Sequence, residues 1–246
     1  MRNTVDILGI PVDSITMSEA VDKIGTFIKE DTLHTVYTPN AEIMMAAVRD
    51  PELKDILTEA DMLTADGAGV VLASKLLGRR VPEKVSGVDL VNKIFKTYAG
   101  KGIRCFFFGA KPGVAEEAAG NVERDCPGVI MAGCRNGYFT DDQDDEIVNS
   151  INASGADILL VALGAPKQEK WIHSHRNALN VKVCIGVGGT LDILSGRVRL
   201  CPDFFRKHGL EWFYRLCKEP RRAVRMLDLP RFILRVLFAK IYKLNK

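Results

Sequence analysis

Several patterns that identify common classes of protein are absent from the sequence. The six cysteines lie far apart and form no C-x-x-C pair, which argues against a zinc ribbon or a redox dithiol. The four histidines show no H-E-x-x-H spacing and no G-x-S-x-G elbow is present, so zinc and serine hydrolases lose their usual sequence support. No uninterrupted apolar run reaches the roughly 18 residues of a membrane-spanning helix. We therefore expect a chain that does not cross a bilayer.

Nucleotide-binding signatures are missing as well. A Gly-rich segment, residues 186–190, follows an apolar run, but a dinucleotide fingerprint would need glycine at the position of Leu191. No Gly-Lys-Ser/Thr sequence of a P-loop occurs either. The segment is equally consistent with a plain turn and with a loop that cradles phosphate.

Length and composition are those of a globular protein. The chain has 246 residues, of which 47% are hydrophobic and 26% are charged, so collagen, rods and wholesale disorder are excluded. One large domain, or one domain with an appendage, fits this length. The sequence starts without a basic segment leading into a long apolar run, so we expect no signal peptide and a cytoplasmic location.

Charge is distributed unevenly along the chain. Residues 197–246 contain 14 basic and four acidic residues, whereas the remainder contains 20 basic and 27 acidic ones. We therefore divide the chain into a body, residues 1–196, and a basic helical appendage, residues 197–246. Such an appendage calls for an anionic partner, such as membrane lipid, nucleic acid or a phosphorylated substrate.

The appendage is also apolar, and its pattern has more than one interpretation. Apolar residues at 233, 236, 237 and 241 alternate with basic residues at 231, 235 and 243. This pattern suits a helix in a membrane interface, and equally a core-packed helix with a solvated basic face. We see no nucleic-acid-binding motif and expect no such partner. A second copy could cover the apolar surface, so a homo-oligomer is also consistent with the pattern.

The body alternates short apolar runs with longer amphipathic stretches. Strands are predicted over residues 5–10, 34–37, 105–108, 129–133, 158–163 and 183–187, and helices over 17–29, 41–59, 88–98, 114–124, 144–152 and 167–176. This alternation predicts an α/β fold with a mostly parallel, Rossmann-like sheet and helices on both faces. Ligands of such folds bind beyond the carboxyl ends of the strands.

Two loops after strands carry candidate polar residues. In Thr38-Pro39-Asn40 we expect Thr38 to cap the next helix and Pro39 to occupy its first position. Asn40 then has no obvious capping duty and could reach into a cleft. Asp66-Gly67 is by default a turn, yet a carboxylate beside small residues at a strand end is also where a general base would stand.

Two further segments begin predicted helices. Pro166 could open a helix that places Lys167, Gln168 and Glu169 near its N-terminus, where phosphates and sugar hydroxyls can be held. Asp142-Gln143-Asp144 matches the D-x-D string of metal-dependent glycosyltransferases. Thr140 to Gln143 reads better as a capping box, so we expect no metal site there.

Seven motifs taken together resemble one family. In chain order they are Thr38-Pro39-Asn40, Thr64-Ala65-Asp66-Gly67, Ser86-Gly87-Val88-Asp89-Leu90, Asn136-Gly137-Tyr138-Phe139, Gly164-Ala165-Pro166-Lys167-Gln168-Glu169, Gly186-Val187-Gly188-Gly189, and Gly209-Leu210-Glu211-Trp212-Phe213-Tyr214-Arg215-Leu216 with Glu219-Pro220-Arg221-Arg222. Over nearly its whole length the chain resembles the WecG/TagA/CpsF glycosyltransferases, also called glycosyltransferase family 26. One such motif would be weak, whereas seven in series are highly specific.

The resemblance implies an inverting, metal-independent glycosyltransferase without a cofactor. One branch of the family moves N-acetylmannosamine (ManNAc) from UDP to the 4-hydroxyl of N-acetylglucosamine (GlcNAc) on undecaprenyl diphosphate. That transfer makes the ManNAc-β(1→4)-GlcNAc linkage unit of wall teichoic acid, at the inner face of the cell membrane. Other branches use UDP-ManNAc uronic acid, UDP-glucose or UDP-GlcNAc, and no residue that we can read fixes the sugar. A non-catalytic, peripheral membrane protein that binds a nucleotide sugar remains as an alternative.

The resemblance also assigns roles to matching residues. Asp66 resembles the general base that deprotonates the acceptor hydroxyl. Thr38, Asn40 and Gln168 match sugar-binding or positioning residues of the same pocket. In the family, a membrane-facing appendage folds over that pocket, and its arginines match Arg215, Arg222 and Arg225. The other substrate-binding positions are Lys84, Tyr138, Lys167, Gly186, Gly188 and Gly189. The chain departs from the family at Leu200-Cys201-Pro202, where Arg-Ala-Pro is common. Lys84 supplies the basic charge that is common at its position, but lysine lacks the planar, bidentate guanidinium of arginine.

Overall fold

The computed structural model of the chain describes residues 2–218, 220 and 223–244. Its strands are β1 (Thr4–Ile7), β2 (Ile10–Asp13), β3 (His34–Tyr37), β4 (Met62–Leu63), β5 (Arg104–Gly109), β6 (Ile130–Arg135), β7 (Ile158–Ala162) and β8 (Val183–Gly186). Its helices are α1 (Met17–Phe27), α2 (Ala41–Arg49), α3 (Pro51–Glu59), α4 (Ala68–Leu76), α5 (Gly87–Tyr98), α6 (Val114–Asp125), α7 (Asp144–Ser154), α8 (Lys167–His175), α9 (Thr190–Leu194), α10 (Asp203–Lys207), α11 (Glu211–Lys218), α12 (Ala223–Met226) and α13 (Asp228–Leu244). The predicted α/β class is confirmed.

The chain divides into two compact units. The first combines Met1–Met17, Thr38–Ser86 and Leu200–Lys246, and the second combines Ser18–Tyr37 and Gly87–Arg199. The expected division into a body and an appendage at residue 196 follows charge rather than packing, and it stays a prediction.

Five parallel strands form the sheet of the second unit, in the order β3-β8-β7-β5-β6. Strands β7 and β8 are buried along their whole length, as parallel strands covered on both faces usually are. The ends of all five strands lie within two residues of the predicted bounds. Because the strands are parallel, the loops after their carboxyl ends meet at one edge of the sheet.

The segment predicted as one strand over residues 5–10 is instead a hairpin. Strands β1 and β2 pair antiparallel, and the two residues between them, Leu8 and Gly9, have φ angles of 57° and 84°. A two-residue turn needs such positive angles to match the twist of its strands. Leucine is an unusual residue for this position, so the apolar run concealed the turn and the prediction was wrong.

The helix predicted over residues 41–59 is two helices. Asp50 has an extended backbone, accepts a hydrogen bond from the Leu53 amide at 3.2 Å and caps α3, whose first residue is Pro51. A residue before proline is disfavoured in helical geometry, so the chain breaks here. The Asp-Pro pair was a readable signal, and the single-helix prediction was wrong.

Helix α13 packs one face against α2 and α4. Phe232 and Val236 on that face are fully buried, whereas Leu234, Phe238 and Ile241 on the opposite face are more than half exposed. The buried face fits the interpretation as a core-packed helix, whereas the interpretation as a membrane-interface helix stays a prediction. Among the described residues, no helix combines the length and hydropathy needed to cross a membrane.

An ion pair fixes the start of α13 to the end of α2. The guanidinium of Arg49 donates two hydrogen bonds to the carboxylate of Asp228, at 2.9 and 2.8 Å. Asp228 is buried, and the bonds from Arg49 lower the pKa of its carboxyl. A bidentate ion pair of this kind fixes the orientation of α2 and α13 relative to each other.

We expect Asp228→Asn to destabilise the first unit by about 1 kcal/mol at pH 7, because Arg49 is half exposed and water screens part of the attraction. Because the pKa of Asp228 is lowered by folding, its carboxylate stabilises the folded state when the pH is above the ordinary carboxyl pKa. That stabilisation is lost as the pH falls through the pKa of Asp228 in the folded protein. The difference from wild type should therefore shrink between pH 7 and pH 3 in urea unfolding. Asp203→Asn, at an exposed and weakly paired carboxylate, is the control, and an equal effect there would refute the account.

Candidate functional site

A cavity in the first unit contains two of the predicted site residues, Asn40 and Asp66. The other side chains in its wall include Glu42, Glu211, Trp212, Met226 and Leu229. Three carboxylates thus share a cavity with aromatic and aliphatic groups. Such a mixture can bind hydroxyl groups while covering the apolar face of a sugar ring.

Backbone hydrogen bonds hold Asp66 beside the loop that precedes α2. The Asp66 amide donates to the Pro39 carbonyl at 3.3 Å. Just before it, the Thr64 hydroxyl donates to the Val85 carbonyl at 2.9 Å, and the Val85 amide donates to the Ala65 carbonyl at 3.0 Å. Asp66 therefore lies in a segment bonded on both sides, rather than in a free surface turn.

The cap of α2 is Asn40 and not Thr38. The Asn40 Oδ1 atom accepts a hydrogen bond from the Ile43 amide at 3.0 Å, and Thr38 is buried two residues earlier. The prediction that Thr38 caps the helix with Pro39 at its first position was wrong, as was the view that Asn40 has no capping duty. Asparagine caps helices as well as threonine does, so sequence alone did not decide between them. The cap fixes the Asn40 side chain at the wall of the cavity.

Lys84 forms an ion pair with Glu211, which lines the same cavity. Its Nζ atom donates to Glu211 Oε1 at 2.5 Å, and Arg206 Nε lies 3.7 Å from the same oxygen. The carboxylate of Glu211 therefore balances part of the positive charge of both Lys84 and Arg206. The sequence pattern did not single out Glu211, although it lies within one of the seven motifs.

The arginines assigned to the appendage are placed only in part. Arg225 is exposed in α12 and precedes Met226, which lines the cavity. Arg215 lies in α11, and Arg222 lies outside the described residues. Their roles stay predictions.

A second cavity lies in the second unit, at the carboxyl ends of its strands. Ala110 follows β5 and Leu163 follows β7, and both line it together with Tyr138, Lys111 and Asp192. Tyr138 is 66% exposed. An exposed aromatic ring beside a carboxylate and an ammonium group can stack on a base and hydrogen-bond to its edge. Of these residues, Lys111 and Asp192 were missed, because nothing in their local sequence distinguishes them.

The start of α8 lies in the same unit. Lys167 is exposed, and its Nζ atom lies 4.2 Å from the centre of the Phe139 ring. Pro166 is the N-cap residue of α8, and the helix begins at Lys167, the first residue of the predicted range. Gln168 is buried at 3% exposure and binds the backbone of the glycine loop (residues 186–189) through its Oε1 atom, 2.9 Å from the Gly188 amide.

The D-x-D string has a structural use. Thr140 and Gln143 form the predicted capping box, which is confirmed. Asp144 begins α7, and its Oδ1 atom accepts a hydrogen bond from Trp171 Nε1 at 2.8 Å. These contacts give Gln143 and Asp144 of the string structural roles.

Glu169 follows Gln168 and is buried at 1% exposure. Burial raises the pKa of its carboxyl, and the hydrogen bond from Gln168 offsets only part of that rise. A raised pKa contributes stability that is complete below the ordinary carboxyl pKa and is lost as the pH rises through the folded value. We therefore expect Glu169→Gln, which cannot ionise, to gain stability relative to wild type as the pH rises from 5 to 8. Urea unfolding at both pH values measures this gain, and a constant difference would refute it.

Comparison with known proteins finds one matching family and several relatives. The profile of the glycosyl transferase WecG/TagA/CpsF family matches residues 5–246. A Bacillus spizizenii protein is 38% identical over 92% of this chain and 87% of its own length, and a Bacillus subtilis protein is 34% identical over 95% and 91%. A Staphylococcus aureus protein is 32% identical over 96% of this chain and 93% of its own length. All three are named N-acetylglucosaminyldiphosphoundecaprenol N-acetyl-beta-D-mannosaminyltransferase.

Proposed function

The chain belongs to the WecG/TagA/CpsF family of glycosyltransferases, and we propose that it transfers ManNAc from UDP-ManNAc to the 4-hydroxyl of GlcNAc on undecaprenyl diphosphate. The product is the ManNAc-β(1→4)-GlcNAc linkage unit of wall teichoic acid. The names of three relatives support this substrate pair. The observation that carries the mechanism is the placing of Asp66 and Asn40 in one cavity.

Asp66 acts as the general base in this proposal. A single displacement that inverts the anomeric configuration of the transferred sugar needs one base on the acceptor side, so one carboxylate suffices. Glu42 lies in the first turn of α2, and Glu211 is engaged by Lys84. Asp66 takes the proton of the GlcNAc 4-hydroxyl while the oxygen of that hydroxyl attacks the anomeric carbon of ManNAc. The bond from that carbon to UDP breaks at the same time. Asn40 and Thr38 orient the sugars.

The donor nucleotide binds the second unit. The Tyr138 ring stacks on the uracil base, and the Asp192 carboxylate accepts the hydrogen of its imide N–H. The diphosphate lies against the glycine loop, which contains Gly186, Gly188 and the exposed Gly189, and against the exposed side chain of Lys167. Backbone amides and an ammonium group are ordinary diphosphate partners.

Basic side chains stabilise the departing UDP. We assign this to Lys84 and to the arginines of the appendage, Arg215, Arg222 and Arg225, since the planar fork of arginine matches diphosphate oxygens. Lys84 forms an ion pair with Glu211 within the first unit. These cations supply the charge that a divalent metal supplies in other glycosyltransferases, so the reaction needs no cofactor.

The protein acts as a peripheral protein at the inner face of the cell membrane. The exposed apolar face of α13, with Leu234, Phe238 and Ile241, supports this, and Arg231 and Arg235 flank it. Apolar residues beside arginines suit an interface with anionic lipid, where the acceptor resides. Away from the membrane, a second copy of the chain is the natural cover for this face.

A donor panel tests the proposal. Purified protein receives GlcNAc-diphosphate-lipid with UDP-ManNAc, UDP-ManNAc uronic acid, UDP-glucose or UDP-GlcNAc in turn, and release of UDP and formation of disaccharide are both followed. We expect turnover with UDP-ManNAc to exceed that with each other donor at least tenfold. Greater turnover with another donor would move the chain to a different branch of the family, and binding of UDP-sugars without turnover would indicate a non-catalytic protein.

A further inference from the structure

A line of three hydrogen-bonded groups joins the start of α8 to the glycine loop. The Gly188 amide donates to Gln168 Oε1 at 2.9 Å, and Gln168 Nε2 donates to Glu169 Oε1, also at 2.9 Å. Gln168 and Glu169 are both buried, at 3% and 1% exposure. All three groups belong to the second unit.

The chemistry of these groups fixes the direction of the Gln168 amide. The Gly188 N–H can only donate, and the Glu169 oxygen accepts. A rotated amide would place its NH2 group against the Gly188 N–H and its oxygen against the Glu169 oxygen. The Gly188 N–H fixes the orientation in which Gln168 Oε1 accepts from the loop, Glu169 Oε1 accepts from the Nε2 atom that this orientation turns toward it, and each bond polarises the other.

Gln168 also touches the loop by packing. A Cβ atom on Gly186 would lie 2.9 Å from Gln168 Nε2, so the amide rests directly on the backbone there. Gly188 has a φ of +51°, an angle that favours glycine. The amide of Gln168 thus contacts the glycine loop at two positions.

The loop leads directly to the second cavity. It ends at Gly189, and α9 begins at Thr190, whose hydroxyl donates to the Val187 carbonyl at 2.7 Å. Asp192 lies in the first turn of α9 and lines the cavity with Tyr138. The position of the glycine loop therefore sets the position of the Asp192 carboxylate.

Glu169 has no other evident use. Its Oε2 atom is buried and finds no hydrogen-bond partner among the described residues. A buried polar atom without a partner costs stability, and an apolar side chain would fill the same space without that cost. A stability role alone therefore does not explain a carboxyl group at this position.

We propose that Glu169 is a positioning residue of the nucleotide site, which acts through Gln168 to hold the glycine loop and, with it, Asp192. The nucleotide part of this proposal rests on the proposed function, whereas the part about the loop does not. Glu169 itself does not touch the substrate.

Hydrogen exchange of the Gly188 amide in the ligand-free protein tests the loop directly. Glu169→Leu removes the acceptor, and we expect exchange at least tenfold faster than in wild type, while Glu169→Gln keeps an acceptor oxygen and stays within threefold. Gln168→Met removes the bond to Gly188 itself and sets the largest rate. Glu169→Met replaces the leucine variant if that variant does not fold. An unchanged rate in the leucine or methionine variant of Glu169 would overturn the proposal.

Affinity for UDP, measured by calorimetry, tests the consequence for the site. We expect Glu169→Leu to weaken binding about tenfold and Glu169→Gln to restore it to within threefold of wild type. In a Gln168→Met background, Glu169→Leu should add less than twofold, because the two residues act in series. Additive losses would show that Glu169 acts independently of Gln168 and would refute the proposal. If wild type does not bind UDP, the proposed function fails, and the exchange rates alone decide whether Glu169 holds the loop.

Discussion

Asp66→Asn should lower the rate of transfer by about 100- to 10,000-fold, the usual contribution of a general base. The amide keeps the shape and the hydrogen bond that links the backbone to Pro39, but it cannot take a proton from the acceptor hydroxyl. The loss should therefore fall on the maximal rate, with the affinity for UDP and the thermal unfolding midpoint near those of wild type. Steady-state transfer to the lipid-linked acceptor, together with UDP calorimetry, measures these quantities.

Glu42→Gln is the matched control for Asp66, since both carboxylates line the same cavity. We expect the Glu42 variant to lose less than tenfold in maximal rate. If Glu42→Gln abolishes transfer while Asp66→Asn does not, the base is Glu42 and the mechanism proposed for this cavity is wrong. A loss of folding in the Asp66 variant would point to a structural role in the segment that Thr64 and Val85 hold.

The variant Leu234→Ser/Phe238→Ser should weaken binding to vesicles that contain anionic lipid by about 30-fold. Both side chains are more than half exposed on the outer face of α13, so the protein core does not depend on them. Loss of their burial in the interface costs about 2 kcal/mol, a modest part of the value for complete burial. Sedimentation with vesicles measures the partition coefficient directly.

Ile130→Ser provides the control, because Ile130 is an exposed apolar residue on β6, outside the appendage. It should leave the partition coefficient unchanged. If the α13 variant binds vesicles as wild type does but changes the molar mass in light scattering, this face covers a second copy of the chain instead of a membrane. Equal vesicle binding with equal mass would leave neither role standing.

Sequence reasoning succeeded where local patterns carried the information. The five strands of the second unit are short apolar runs between amphipathic stretches, and parallel strands read in this way because both faces are buried. It failed where two local signals compete. Thr38 and Asn40 are both good capping residues, and Leu8 conceals the turn between β1 and β2.

Contacts between distant parts of the chain were beyond local patterns. Lys84 and Glu211 are 127 residues apart, and Arg49 and Asp228 are 179 residues apart. Neither pair has a spacing that sequence periodicity can detect. The family resemblance placed Asp66 and Asn40 in one pocket and described an appendage over it. Whether Arg215, Arg222 and Arg225 contact the donor stays a prediction.

The configuration of the disaccharide product tests the central claim most directly. The wild-type protein, with EDTA present, receives UDP-ManNAc and GlcNAc-diphosphate-lipid, and the linkage is read by NMR. The account predicts ManNAc joined β(1→4) to GlcNAc, formed at the same rate with and without EDTA. An α linkage would contradict the single displacement assigned to Asp66, and a product that requires a divalent ion would contradict the role given to the basic side chains.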